Sequence, residues 1–73
     1  SSDPSAAEIG VRDILVEVRN TFVEAPIYNF QNLKPGNVVV GPAVIHTPVT
    51  TIVLQEHQSG RIDPYMNTII EFD

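Results

Sequence analysis

Cysteine is absent from this sequence, so neither a disulfide framework nor a thiolate zinc site can stabilise the fold. The absence fits a reducing compartment, and we expect a cytoplasmic location. The chain has 73 residues and forms one domain at most. A domain near this size buries only about 60% of the surface that its unfolded chain exposes. We therefore expect a partner to add stability that the small core cannot supply.

Basic residues are also scarce, and long apolar runs are missing. Four basic residues stand against nine acids, which gives a net charge of −5. Nucleic-acid binding needs a basic stripe that neutralises phosphates, so that class is excluded. No apolar run approaches the roughly 20 residues that a membrane-spanning helix needs, and we find no signal-peptide pattern. The sequence predicts neither nucleic-acid nor membrane binding.

The first ten residues differ in composition from the rest. Residues 1–10 begin with a small, polar stretch, which predicts an N-terminal tail or linker. The alternative is one short helical turn at 5–8, because Asp3 followed by Pro4 is an acceptable helix start. A small β domain is predicted for residues 11–73.

Beyond residue 10 the pattern is typical of short strands. Apolar and charged residues alternate from Ile14 to Arg19, and no window has sustained helical periodicity. Pro26 has no main-chain donor, so the stretch around it predicts an edge strand or an extended arm. Further apolar runs lie at 38–45, 50–54 and 68–72.

Turn signals separate these runs. Lys34-Pro35-Gly36 has the composition of a type II turn, and the polar stretch 56–60 predicts an exposed turn. Asp63-Pro64 predicts another turn before the last apolar run. The fold class is therefore all-β, with about five to seven short strands in a small barrel or sandwich.

Five short motifs follow one another in a fixed order over residues 11–73. They are Ala25-Pro26-Ile27-Tyr28, Leu33-Lys34-Pro35-Gly36, Gly41 to Ile45, Thr50-Thr51, and Ile62-Asp63-Pro64-Tyr65 with Asn67. Their order and spacing resemble the C-terminal segment of the hydantoinase A family, which includes subunits of acetone and acetophenone carboxylases. Two departures from the family pattern fall in turns: residues 55–60 replace a Pro-Pro-Gly turn, and Met66 stands where glycine is usual.

The resemblance implies a subunit of an ATP-dependent complex that carboxylates a ketone or opens a hydantoin-like ring. It implies ATP and a divalent metal for the complex, and larger hydantoinase A/B-like subunits as partners. Within this chain no phosphate-binding glycine loop follows a strand and opens a helix. We therefore expect a non-catalytic structural subunit, with no catalytic, cofactor-binding or metal-binding residue of its own.

An apolar, proline-interrupted stretch is the candidate partner interface. Such a stretch is hard to bury within so small a domain, and packing against another subunit would cover it. The alternative is that these side chains belong to the ordinary core of the domain. The residues are Phe22, Pro26, Ile27, Tyr28, Phe30 and Leu33.

Two other functions remain as alternatives. Lys34, the sole lysine, precedes a Pro-Gly turn and could be the modified lysine of a biotinyl-like or lipoyl-like carrier domain. His46 and His57, with Glu56 and Asp63, could supply ligands for zinc in a small metal-binding β domain, although their separation matches no standard spacing.

Overall fold

The computed structural model describes residues 1–72 and is built from β-strands, with two single turns of 3-10 helix at Ser5–Ala7 and Phe30–Asn32. The prediction of an all-β domain with five to seven short strands is confirmed, and so is the short N-terminal helical turn. The strands are β1 (Glu8–Val16), β2 (Thr21–Asn29), β3 (Val38–Val40), β4 (Ala43–His46), β5 (Thr51–Leu54), β6 (Gln58–Ile62) and β7 (Thr68–Phe72).

Over residues 1–72, the strands form two sheets that do not close into a barrel. The four-stranded sheet has the order β1-β2-β4-β5, and the three-stranded sheet has the order β3-β6-β7. All neighbouring strands are antiparallel except β2 and β4, which pair in parallel over Ile27–Asn29 and Val44–His46. Strands β1, β5, β3 and β7 are the sheet edges.

The main core joins residues of both sheets. Ile45 and Leu54 of the four-stranded sheet have no exposed surface and contact Val39 and Ile62 of the three-stranded sheet in one cluster. Burying a side chain of this size contributes roughly 1.5–3 kcal/mol. A second, smaller cluster of Ile14, Ala25 and Val44 lies on the other face of the four-stranded sheet.

The N-terminal residues lie against the domain through Asn37, a buried polar side chain. Its amide nitrogen donates to the carbonyl oxygens of Ser1 (2.9 Å) and Asp3 (3.3 Å), and its amide oxygen accepts from the Lys34 N–H (2.8 Å). Ala7 is buried, and β1 begins at Glu8. The boundary drawn at residue 10 between tail and domain stays a prediction.

Two local predictions were wrong. Pro26 lies in β2, a central strand, because the ladder with β4 covers only Ile27–Asn29 and needs no donor from the proline. The predicted turn at 56–60 is limited to residues 56–57, and β6 follows as the central strand of its sheet. Gly60 permits this close packing, since a Cβ there would lie 3.2 Å from a methyl group of Thr68.

Candidate partner-binding surface

The six residues of the predicted interface do not share one environment. Phe22 is 68% exposed on β2, whereas Leu33 is 2% exposed and belongs to the chain's own core. Pro26, Ile27, Tyr28 and Phe30 are half-buried. Ile27 packs on the smaller cluster, and Tyr28 and Phe30 pack on the main core. The interface itself stays a prediction, and Phe22 is its most accessible member.

Tyr28 lies between the core and the acidic start of β1. Burial raises the pKa of its phenol, and the negative charges of Glu8 and Asp3 add to this effect. Glu8 is the direct cross-strand partner of Tyr28. The neutral, protonated phenol is therefore the form that the fold favours.

The hairpin of β1 and β2 has one buried face and one exposed face. The strands pair with Leu15 opposite Phe22 and Asp13 opposite Glu24. Side chains of directly paired residues, and of every second residue, lie on the same face. The exposed face, which we name the acidic hairpin face, consists of Val11, Asp13, Leu15, Phe22, Glu24 and Pro26.

The acidic hairpin face combines apolar surface with two unpaired carboxylates. Val11 is 52% exposed, Leu15 37% and Phe22 68%. Between them, Asp13 and Glu24 lie directly opposite each other on neighbouring strands. Like charges in this position destabilise an antiparallel pair. Within residues 1–72, neither carboxylate forms a salt bridge, because the acids in the two ion pairs are Glu56 and Glu71.

A groove of about 550 Å³ runs beside this face, between the edge strands β1 and β5. The side chain of Gln55 joins the two edges at this groove. Its amide nitrogen donates to the Leu15 carbonyl (3.0 Å), and its amide oxygen accepts from the Glu17 N–H (3.1 Å). The lining residues are Arg12, Asp13, Ile14, Leu15, Glu17, Phe22, Val53, Gln55 and Gln58.

A second contact holds the hairpin turn at the same end. Arg19 donates to both carboxylate oxygens of Glu56, at 3.0 and 2.8 Å. Two parallel hydrogen bonds fix the orientation of the Arg19 side chain relative to Glu56 better than one hydrogen bond would. Both side chains are partly exposed to solvent, which limits the stabilisation that the pair provides.

The candidate metal ligands do not come together. Within residues 1–72, no three His, Asp or Glu side chains are close enough to hold a metal ion. The Asp63 carboxylate accepts hydrogen bonds from the main chain of Asn67 (2.8 Å) and Tyr65 (2.9 Å) and from the Asn67 amide (3.2 Å). Donation by the Asn67 main chain is the largest cause that lowers the pKa of Asp63. Asp63 therefore organises its own turn.

Lys34 is exposed in the turn before β3, as the sequence predicts. The element before it is the 3-10 turn Phe30–Asn32, so Lys34 does not lie at the tip of a hairpin between two strands. Carrier domains present their lysine at such a tip. Modification of Lys34 stays an untested alternative.

Sequence reasoning missed Asp13, Glu24 and Gln55. The alternation of apolar and charged residues in the hairpin is visible in the sequence. The pairing of Asp13 with Glu24 depends on the hairpin register, and the bridge made by Gln55 joins residues 38 and 40 positions apart. Neither signal is local. Over the described residues, no helix has the length and apolar character required to cross a membrane.

Known proteins match this chain over most of its length. It is 37% identical over 70 residues to the acetophenone carboxylase gamma subunit of Aromatoleum aromaticum, which covers 96% of this chain and 10% of that protein. It is 42% identical over 53 residues to the acetone carboxylase beta subunit of Xanthobacter autotrophicus, covering 73% of this chain and 7% of that protein.

A solved structure agrees with both matches. The nucleotide-free structure of acetone carboxylase superposes with a TM-score of 0.87 and 30% identity, over 99% of this chain and 10% of that one. The chain thus spans about a tenth of the length of the relatives it matches. The model of the hydantoinase/oxoprolinase C-terminal domain matches residues 1–72. The chain belongs to the hydantoinase/oxoprolinase C-terminal domain family.

Proposed function

We propose that this chain is a non-catalytic structural subunit of an ATP-dependent carboxylase or hydantoinase-type complex in the cytoplasm. One observation carries the proposal: 96% of the chain aligns, at 37% identity, with a subunit of acetophenone carboxylase. The second carboxylase relative supports the same kind of assembly. A ketone such as acetophenone or acetone is the substrate class that these relatives suggest.

The use of polar side chains within the domain supports a structural role. Asn37 holds the N-terminal residues, Asp63 holds the turn before β7, and Gln55 joins two sheet edges. In each case the side chain completes main-chain hydrogen bonds, which stabilises irregular backbone. In this proposal, ATP and a divalent metal bind on larger hydantoinase A/B-like subunits.

The exposed apolar side chains support a role in assembly. Phe22, Tyr65 and Phe72 are 68%, 85% and 76% exposed. Large aromatic side chains are enriched at the centres of protein interfaces, where they contribute much of the binding energy. A larger subunit would cover such side chains and stabilise a domain whose own core is small.

Purification of the tagged, intact protein from its native cells tests the proposal. We expect it to elute in size-exclusion chromatography together with a larger carboxylase or hydantoinase-type subunit, identified by mass spectrometry, at a fixed ratio. Cell fractionation should place the complex in the cytoplasm. Elution as a stable monomer, with no such subunit at any salt concentration, would contradict the proposal.

The same preparation tests the carrier alternative. Intact-mass measurement of the chain in an active complex should give the unmodified mass, and Lys34→Arg should support full activity. A mass increase that matches biotin or lipoate and disappears in Lys34→Arg would replace the structural role with a carrier role.

A further inference from the structure

We infer that the acidic hairpin face and the free edge of β1 bind an extended segment of the larger subunit, one that carries an apolar side chain beside a Lys or Arg. This inference rests on the proposed function and names the surface and the chemistry of the contact. Three independent features of the hairpin support it: an uncompensated charge pair, exposed apolar side chains and an open strand edge.

The pair of carboxylates, Asp13 and Glu24, indicates where a basic side chain of the partner would bind. Asp13 and Glu24 are direct cross-strand partners, and both are exposed. Each carboxylate repels the other, and within residues 1–72 no basic side chain forms a salt bridge with either. A Lys or Arg placed between the two carboxylates would offset this repulsion and form charge-assisted hydrogen bonds to both.

The flanking side chains define the apolar part of the segment. Leu15 and Phe22 face each other on one side of the acid pair, and Val11 with Pro26 lies on the other. Apolar surface on both sides of the carboxylates favours a partner segment with a basic residue at position i+2 between apolar residues at positions i and i+4. In an extended strand, side chains at every second position lie on the same face.

The edge of β1 supplies main-chain donors and acceptors. In an antiparallel strand, the main-chain groups of alternate residues point to the same side. The Leu15 carbonyl points away from β2, since it accepts from the Gln55 side chain. The groups of Val11 and Asp13 therefore also point outward, and β2 is the only strand that pairs with β1 in the described chain. An extended segment could add there as a strand.

The side chain of Gln55 already forms hydrogen bonds to the main chain at the edge of β1. The carboxamide donates to the main-chain carbonyl of Leu15 and accepts from the main-chain N–H of Glu17, the two residues that flank Val16. One residue of a parallel strand would make the same two hydrogen bonds. The edge of β1 thus already binds a peptide-like group, and the groove continues from that point along residues 12–15.

The charge pattern disfavours a second copy of this chain as the occupant. A symmetric pair would place Asp13 and Glu24 of one copy against the same residues of the other. Four carboxylates would then share one interface, and each copy also carries a net charge of −5. A basic segment of a different protein fits the same surface without this repulsion.

Binding measurements on the larger subunit identified by co-purification test the inference. Glu24→Gln removes one carboxylate of the pair, and Glu71→Gln, on the edge strand of the other sheet, is the matched control with the same change in charge. We expect Glu24→Gln to raise Kd at least about tenfold and Glu71→Gln to change it less than about twofold. Higher salt should weaken binding of the wild-type chain more than binding of Glu24→Gln.

A measurement on the free chain separates binding from folding. Because Glu24→Gln removes a repulsion, its urea midpoint should equal or exceed that of the wild type. Hydrogen exchange of the complex should slow in the segment 9–15, which includes the outward amides of Val11 and Asp13.

The outcomes distinguish the two proposals. If the chain joins no carboxylase-type subunit, both the proposed function and this inference fail. If the wild-type chain joins the complex but Glu24→Gln binds equally well and exchange in 9–15 is unchanged, the inference alone is wrong. Protection confined to β7 would assign the contact to the other sheet and would also refute it.

Discussion

Gly41 is the position where a single added methyl group should be most damaging. A Cβ at this residue would lie 2.0 Å from the carbonyl oxygen of Gln55 and 3.0 Å from that of Gln58. Both neighbours are main-chain atoms, which cannot rotate away as a flexible side chain does. The Gly41 N–H also donates to the Gln58 carbonyl at 2.8 Å. Relief of the clash must therefore move the chain before β4 away from the connection between β5 and β6.

The cost of Gly41→Ala follows from these contacts. Overpacking costs about 1–3 kcal/mol, and loss of the hydrogen bond to Gln58 costs about 0.5–1.5 kcal/mol. The expected loss in the free energy of unfolding is therefore roughly 1.5–4.5 kcal/mol. A domain of this length has a free energy of unfolding of about 4–11 kcal/mol. The substitution should remove a large part of the stability and can unfold the domain at the lower end of that range.

Urea denaturation followed by circular dichroism measures this effect. With an m-value of about 1 kcal/mol/M, the midpoint of Gly41→Ala should fall by about 1.5–4.5 M. Gly10→Ala is the control, because a Cβ at Gly10 has no heavy atom within 4 Å. It should leave the midpoint unchanged or raise it slightly, since glycine in a strand is entropically unfavourable. A midpoint for Gly41→Ala within experimental error of the wild type would refute the reasoning, as would an equal loss in Gly10→Ala.

Three further predictions concern the turns and the sheet edge. Met66 has a φ of 63°, so Met66→Gly should raise the thermal midpoint by relieving about 1 kcal/mol of strain, whereas Tyr65→Gly, the control, should lower it. Because the fold lowers the pKa of Asp63, the ionised carboxylate stabilises the folded chain at neutral pH, and this stabilisation is lost as pH falls below about 4. The urea midpoint of Asp63→Asn should therefore depend less on pH, between about 7 and 3, than the midpoint of the wild type. Gln55→Ala removes two hydrogen bonds, so it should lower the free energy of unfolding by about 1–3 kcal/mol and speed amide exchange at Glu17. The control Gln31→Ala, on the exposed 3-10 turn, should leave the free energy of unfolding unchanged. Equal effects of the two substitutions would refute the role of Gln55.

Much of the fold was predictable from local signals. The Pro35-Gly36 turn, the alternation around Ile14 and the apolar runs at β4 and β7 each specify their conformation within a few residues. Strand β6 was not predictable in the same way. Its residues Gln58 to Arg61 are polar or glycine, and the strand forms because β3 and β7 supply hydrogen-bonding partners on both sides. Tertiary pairing overrides weak propensity in such a strand.

The central position of β2 has a related cause. Its pairing with β4 is parallel, so the two strands are joined by a long connection and not by a hairpin. Pro26 has no main-chain N–H, so it cannot donate a hydrogen bond at its own position. It carries no information about Ile27–Asn29, where the ladder with β4 is formed. The proline therefore restricts one hydrogen-bonding position and not the whole stretch around it.

The candidate surface depends on a feature that composition does not determine, the register of the β1–β2 hairpin. The turn occupies residues 17–20, so Val16 pairs with Thr21 and Asp13 with Glu24. Extending the strand to Arg19, as the alternation predicts, would shift the turn and separate the two acids. A shift of one residue also moves each side chain to the other face. The turn that buries Ile14 therefore also places the carboxylates opposite each other, and a partner cation would stabilise that same register.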